Sequence, residues 1–125
     1  MSKTKALRKL VYEAMQSVHG ATYHKRAPKD ASYPYKTFTL SSVAFTNPDR
    51  DDIELEIDLW DRSPDPKVLE DIADQVEALF NNRISPQPPI YPAFFREYRY
   101  DLDDPDKNLQ HIQLRFLVQL HETEE

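Results

Sequence analysis

A chain of 125 residues with a net charge of −6, ten prolines, one glycine and no cysteine is sized for a single domain, 1–125, with a core of its own and without disulfide or thiolate chemistry. The lone glycine excludes phosphate-cradling loops and dinucleotide fingerprints, which need several so that backbone N–H groups can approach the ligand. Overall acidity argues against simple duplex binding, and no apolar run approaches a membrane span or a signal peptide, so the expectation is a soluble protein made inside the cell.

Residues 3–18 predict an amphipathic helix. Leu7, Leu10, Val11, Ala14, Met15 and Val18 recur at helical spacing, with Lys3, Lys5, Arg8, Lys9 and Glu13 mostly off that stripe. Ser2 suits an N-cap, and Gly20 suits a left-handed stop. A short strand is expected around Ala21–Lys25, then a loop carrying Pro28 and Pro34. Residues 35–45 read as a strand, with Tyr35, Thr37 and Thr39 on one parity and Lys36, Phe38 and Leu40 on the other. Asn47-Pro48-Asp49 is turn chemistry. A second strand follows, antiparallel to the first.

Asp65 and Pro66 open a second helix as N-cap and first helical residue. Val68, Leu69, Ile72, Ala73, Val76, Leu79 and Phe80 form its apolar face, and Glu70, Asp71, Asp74 and Glu77 its wet one. Asn81-Asn82 is a stop. Residues 83–92 are expected to be a proline-stiffened connection. Strands follow at 93–102 and 109–120, joined by an acidic turn. In the last strand Ile112, Leu114, Phe116, Val118 and Leu120 alternate with Gln113, Arg115, Leu117 and Gln119. The order predicts an α+β fold: a largely antiparallel sheet with two helices packed on one face. Leu10, Met15, Leu55, Ile57, Ile72, Val76, Leu114 and Phe116 are the expected core.

The densest chemistry lies at 51–63, "DDIELEIDLWDRS". On a strand, Glu54, Glu56 and Asp58 share one side, and Ile53, Leu55, Ile57 and Leu59 share the other. A half-buried strand with an acidic outer face needs no chemistry to explain it. The catalytic alternative is a metal-dependent nuclease using Asp49, Glu54 and Glu56. Such a site wants a Lys where Glu56 stands, and no basic residue follows until Arg62.

Trp60 lies on the acidic side, where an aromatic residue points to an interface. Residues 101–112 lack the turn glycine and terminal glutamate of a calcium loop. His111 and His121 stand about 33 Å apart at strand rise, too far to share a metal. Arg96, Tyr98, Arg99 and Tyr100 suggest either a single-strand-binding patch or cross-strand pairs.

Charge is polarised: residues 1–45 carry a net +6 and residues 46–125 a net −12. Such a chain can dock to copies of itself. Lys25 and Arg26 in the basic third, and Trp60, Glu54, Glu56 and Asp58 opposite, are the expected interface residues.

Several stretches together resemble a known family. They are the N-terminal helix, "APKDASYPYKTFTL", "IELEIDLWDRS", the "DP…LEDIADQVEALF" helix, an aromatic strand and "DPDKNLQHIQLRFLVQL". In this order they resemble the small tail-terminator, or tail-completion, proteins of long-tailed bacteriophages and their prophage relatives. The most specific pieces are Pro34-Tyr35, Asp58-Leu59-Trp60 and Asp104-Pro105-Asp106, none of them catalytic.

The resemblance implies a non-enzymatic protein without cofactors, with the α+β fold already read from the pattern. It implies a homo-oligomeric ring, usually a hexamer, that caps the finished tail tube and forms the head–tail joining surface. The implied partners are the protein itself, the tail tube protein and a head-completion or connector protein. DNA would pass through the lumen without specific binding. The implied location is the tail or neck of the virion, after assembly in the bacterial host cytoplasm. A monomeric adaptor with an exposed apolar groove is the rival without chemistry.

Overall fold

Helix α1 spans Lys3–Gln16 in the computed structural model, which describes residues 3–47, 50–80, 83–84 and 90–122. Leu7, Leu10, Val11 and Met15 are buried, as their spacing requires. The helix ends earlier than expected. Ser17 N and Val18 N bond back to Ala14 O and Met15 O at 3.2 and 3.1 Å, tightening the last turn. Gly20 therefore is not the helix stop. It sits past the turn at φ +97°, where a Cβ would lie 2.9 Å from the Pro34 carbonyl oxygen. Glycine is needed there for close approach of two backbone segments. Ser2 lies outside the described residues.

Strand β1 (Ala21–His24) lies parallel to β2 (Tyr35–Asn47), from Ala21↔Tyr35 to His24↔Phe38. Strand β3 (Arg50–Arg62) returns antiparallel to β2, with register shifts beyond Ser42. Helix α2 (Lys67–Phe80) follows. Asp65 Oδ1 accepts from Lys67 N at 2.9 Å, and Glu70 N donates to Pro66 O at 2.9 Å, which is the expected cap. Leu69, Ile72, Ala73, Val76 and Phe80 are buried, whereas Val68 is 48% exposed and does not belong to the apolar face.

The expected 83–92 connection instead contains β4 (Arg83–Ile84) and the start of β5 (Ile90–Leu102). Pro92 sits inside β5, opposite Leu120. A proline is tolerated there because β5 lies beside the sheet edge, where few ladder bonds are needed on the outer side. Strand β6 (Leu109–Glu122) completes a six-stranded sheet of order β1-β2-β3-β6-β5-β4. The stop expected at Asn81-Asn82 lies outside the described residues.

Both helices pack on one face of this sheet. The eight residues expected in the core are all buried there, joined by Ile53, Leu59, Phe94, Ile112, Val118 and Leu120. Phe80 of α2 meets Phe94 and Phe116 at centroid distances of 4.9 and 5.7 Å. Each such side chain contributes roughly 1.5–3 kcal/mol through burial.

Lys36 shares the inward parity of Phe38, and its side chain is fully buried. Its ammonium donates to Val18 O at 3.0 Å, to His19 O at 2.9 Å and to Gly20 O. Burial pushes its pKa down to about 8, so the group is still charged at neutral pH. Three carbonyls that lack helical partners thus share one cation.

Asn47 pairs with Arg50 at one end of the sheet. At the other end Arg62 bonds Asp106 at 2.8 Å and Ser63 N donates to Asn108 O at 2.6 Å.

Candidate interface on the helix-free face

With both helices on one side, the opposite face of the sheet carries no helix among the described residues, although Thr37 on it is buried. Strand alternation puts Glu54, Glu56, Asp58 and Trp60 on it. Register sets Leu117, Arg115, Gln113 and His111 beside them on β6, and Ser41, Thr39, Thr37 and Tyr35 on β2. The acids are engaged with these neighbours. Arg115 Nε reaches Glu54 Oε1 at 2.6 Å and Arg115 Nη2 lies 3.5 Å from Glu56 Oε1. Partial burial pulls the Arg115 pKa down, but the two carboxylates outweigh it and leave it raised. The Arg115 guanidinium also covers the Tyr98 ring at 4.8 Å. Tyr98 stacks on Tyr100 at 4.5 Å and donates to Gln113 Oε1 at 3.2 Å.

Asp58 Oδ1 accepts from Gln113 Nε2 at 3.1 Å and contacts His111 Nε2 at 2.7 Å. Trp60 is half-buried because His111 stacks on it at 3.6 Å, with planes 15° apart, and Tyr35 lies 6.4 Å away. Tyr35 in turn meets Tyr33 at 5.3 Å and Tyr23 at 6.1 Å. Burial, then the neighbouring tyrosines, raises the Tyr35 pKa. The face is therefore a continuous polar–aromatic network.

Lys25 and Arg26 stand at its rim. Lys25 has φ +74°, an uncommon conformation for a residue with a Cβ. Its N–H donates to Phe38 O at 2.9 Å, and Arg26 N–H donates to His24 O at 3.0 Å. Lys25, Arg26, Tyr35, Thr37, Asp58 and Trp60 line one open hollow of about 390 Å³. The fold thus joins the basic pair to the Asp58–Trp60 end of the acidic row, while Glu54 and Glu56 lie further along with Arg115.

A metal site does not form from these parts. Among the described residues no group of three or more His, Asp or Glu is placed to hold an ion. Asp49 lies outside the described residues. Arg96 and Arg99 do not join Tyr98 and Tyr100 in a patch either. A register shift between Arg96 and Tyr98 accompanies a split in direction. Arg96 reaches Glu77 at 2.5 Å, and Arg99 reaches Asp74 at 2.7 Å and Glu77 at 2.9 Å, all on α2.

Sequence reasoning missed the roles of Arg115 and His111. Their parity on β6 was the available signal, but pairing them with Glu54 and Asp58 needs the β3–β6 register. It also missed a basic groove of about 470 Å³ beside α1, lined by Lys5, Arg8, Lys9, Tyr12, His24 and Phe38. Burial, then Arg8 and Lys25, lowers the His24 pKa, as expected in positive surroundings. Among the described residues no helix is long and apolar enough to cross a membrane.

Residues 4–120 match the family model of "Tail completion protein gp17". Among solved structures, a chain of "Virion of native gene transfer agent (GTA) particle" superposes with a TM-score of 0.71 at 10% sequence identity, over 89% of this chain and 91% of that one. At that identity the likeness shows a shared fold. No curated protein matches the chain.

Proposed function

The chain belongs to the tail completion protein gp17 family, and on that premise we propose that it closes the finished tail tube as a ring, a hexamer, and presents the surface on which the head is joined. Membership makes it a non-enzymatic structural protein of the virion tail and neck, which sets the nuclease alternative aside. The observation that carries the proposal is that the match takes in both helices and all the long strands. The fold shared with a chain of a gene transfer agent virion supports it.

In this reading the tail tube protein contacts one rim of the ring and a head-completion or connector protein the other. Assembly takes place in the host cytoplasm. DNA crosses the lumen without specific binding, and the net charge of −6 favours passage because like charge keeps phosphates from adhering. Glu54, Glu56 and Asp58 contribute less bare charge than their number suggests, since Arg115 and His111 accompany them. Lys25, Arg26 and Trp60 are assigned to contacts between subunits.

The experiment is tube growth. Tail tube protein polymerising in vitro should stop elongating when this protein is added. Negative-stain images should show a six-fold disc at one tube end. Tubes that continue to lengthen without a disc would refute the capping role.

A further inference from the structure

The two edges of the sheet are open over different stretches. Strand β1 covers β2 only from Tyr35 to Phe38, and β4 covers β5 only at Ala93 and Phe94. Among the described residues no strand pairs with the outer edge of 39–47 or of 95–102. The first stretch reads Thr-Leu-Ser-Ser-Val-Ala-Phe-Thr-Asn, with no charge and no proline. The second has no proline or lysine, and it exposes Phe95 and Tyr100. Natural sheets protect long free edges with lysine, proline or a covering segment. The first stretch has no charge, no proline and, among the described residues, no covering segment. The second carries Glu97 and Asp101 and a register shift between Arg96 and Tyr98, while its Arg96 and Arg99 are turned onto α2.

Their directions are complementary. Strands β2–β3, β3–β6 and β6–β5 are each antiparallel, so β2 and β5 run in opposite senses. Two copies in the same orientation, as a ring requires, would therefore form an antiparallel ladder between β2 of one and β5 of the next. Ser42 is level with Phe94 across the sheet, through Ile53 and Val118. Matching the open stretches slides one copy by about four ladder steps, roughly 13 Å along the strand. Against the roughly 19 Å taken up by the four strands β2-β3-β6-β5 that repeat in each copy, this inclines the strands by about 34° to the ring axis, at the lower end of the ~35–45° tilt of closed barrels.

The flanking charges agree. Beside the β2 edge, the groove under α1 is lined by Lys5, Arg8 and Lys9. Beside the β5 edge, α2 exposes Glu70, Asp71 and Asp74.

We infer that the subunits join edge to edge, with Thr39–Asn47 of one copy adding antiparallel to Phe95–Leu102 of the next, and with the basic flank of α1 facing the acidic flank of α2. This rests on the ring reading and names its interface. It makes the sheet continuous around the ring and leaves its helix-free face clear of the helices.

Because the chain has no cysteine, cross-linking tests this directly. Ser41 shares the helix-free face with Tyr100 and Leu102, so S41C/Y100C and S41C/L102C are the pairs to oxidise on capped tubes. The expected result is a covalent ladder that collapses under reductant, with none from any single variant. Linkage by S41C alone would mean isologous β2–β2 pairing and overturn the inference. Capped tubes without a ladder from either pair would overturn it and leave the ring reading standing. Tubes that never acquire a cap would sink both. As a second measurement, K5E/R8E/K9E should lower cap occupancy at least ten-fold at low salt, and adding E70K/D71K to the same chain should restore it. Absence of that rescue also counts against the inference.

Discussion

Trp60 lies flat against His111, with ring centroids 3.6 Å apart and planes inclined by 15°. It is the chain's single tryptophan, so emission excited selectively from tryptophan reports this site alone. His111→Ala removes the cover and should shift the emission to longer wavelength. Ring assembly should shift it to shorter wavelength if Trp60 is buried between subunits, as hot-spot aromatics are. Emission unchanged between free and assembled protein would remove Trp60 from the proposed interface.

Lys36 is the most consequential buried polar residue. Lys36→Met keeps the bulk of the side chain but leaves the carbonyls of Val18, His19 and Gly20 without their donor. An unsatisfied buried group costs about 1–3 kcal/mol, and only the bond to Val18 O is fully buried while those to His19 O and Gly20 O are part-buried. A loss of about 1–3 kcal/mol is therefore expected in urea unfolding. The pH dependence follows from the lowered pKa. The folded group titrates at about 8 and the unfolded group near 10.5. Between these values the unfolded chain holds more protons, so stability rises with pH. The penalty of keeping the charge buried is fully present below the folded pKa. The difference in stability between wild type and Lys36→Met should therefore change across pH 8–10.5, favouring the wild type as pH rises. A flat difference would mean that the carbonyls hold the Lys36 pKa at its ordinary value.

Leu55 and Leu114 are completely buried. Replacing either by alanine should cost about 2–5 kcal/mol, the range for leucine cavities in cores. Losses well below that range at both sites would contradict the inward parity of β3 and β6.

Arg115 links Glu54 and Glu56, but all three are about a third exposed. Arg115→Ala should therefore cost only about 1 kcal/mol, in keeping with the small worth of exposed ion pairs. The variant should gain no ability to cleave plasmid with Mg²⁺ or Mn²⁺. Cleavage by wild type that disappears in Glu54→Ala would revive the nuclease alternative.

Lys25→Glu with Arg26→Glu reverses an exposed basic pair. Assembly should weaken while the melting temperature stays within a few degrees. Salt should weaken wild-type assembly in the same direction, because exposed charges are screened beyond about 8–10 Å at physiological ionic strength. Unchanged cap occupancy in both experiments would show that charge at this rim does not guide assembly.

Local pattern carried much of this fold. Alternation in β3 and β6 identified the inward residues, and Asp65-Pro66 marked the start of α2, because these features depend on neighbours in sequence. Lys36 was visible on the inward parity of β2, yet its burial depends on the carbonyls of 18–20, which approach only because Gly20 admits the Pro34 backbone. The cover over Trp60 and the clamp on Glu54 arise from the β3–β6 register across more than fifty residues. The parallel pairing of β1 and the two-residue β4 are too short to leave a periodic signal. Prolines at 86, 88, 89 and 92 made the start of β5 read as loop.

The four long strands each run 13 or 14 residues, so the segments between them are sorted onto opposite ends of the subunit. The paired Asn47 and Arg50 lie at one end. Residues 25–34 and the 103–108 turn belong to the other. A change in either group leaves the other a whole strand length away, beyond the reach of direct contact. Recognition at the two ends can then diverge independently. Exchanging residues 103–108 between relatives should retarget one docking partner while the opposite contact keeps its original specificity.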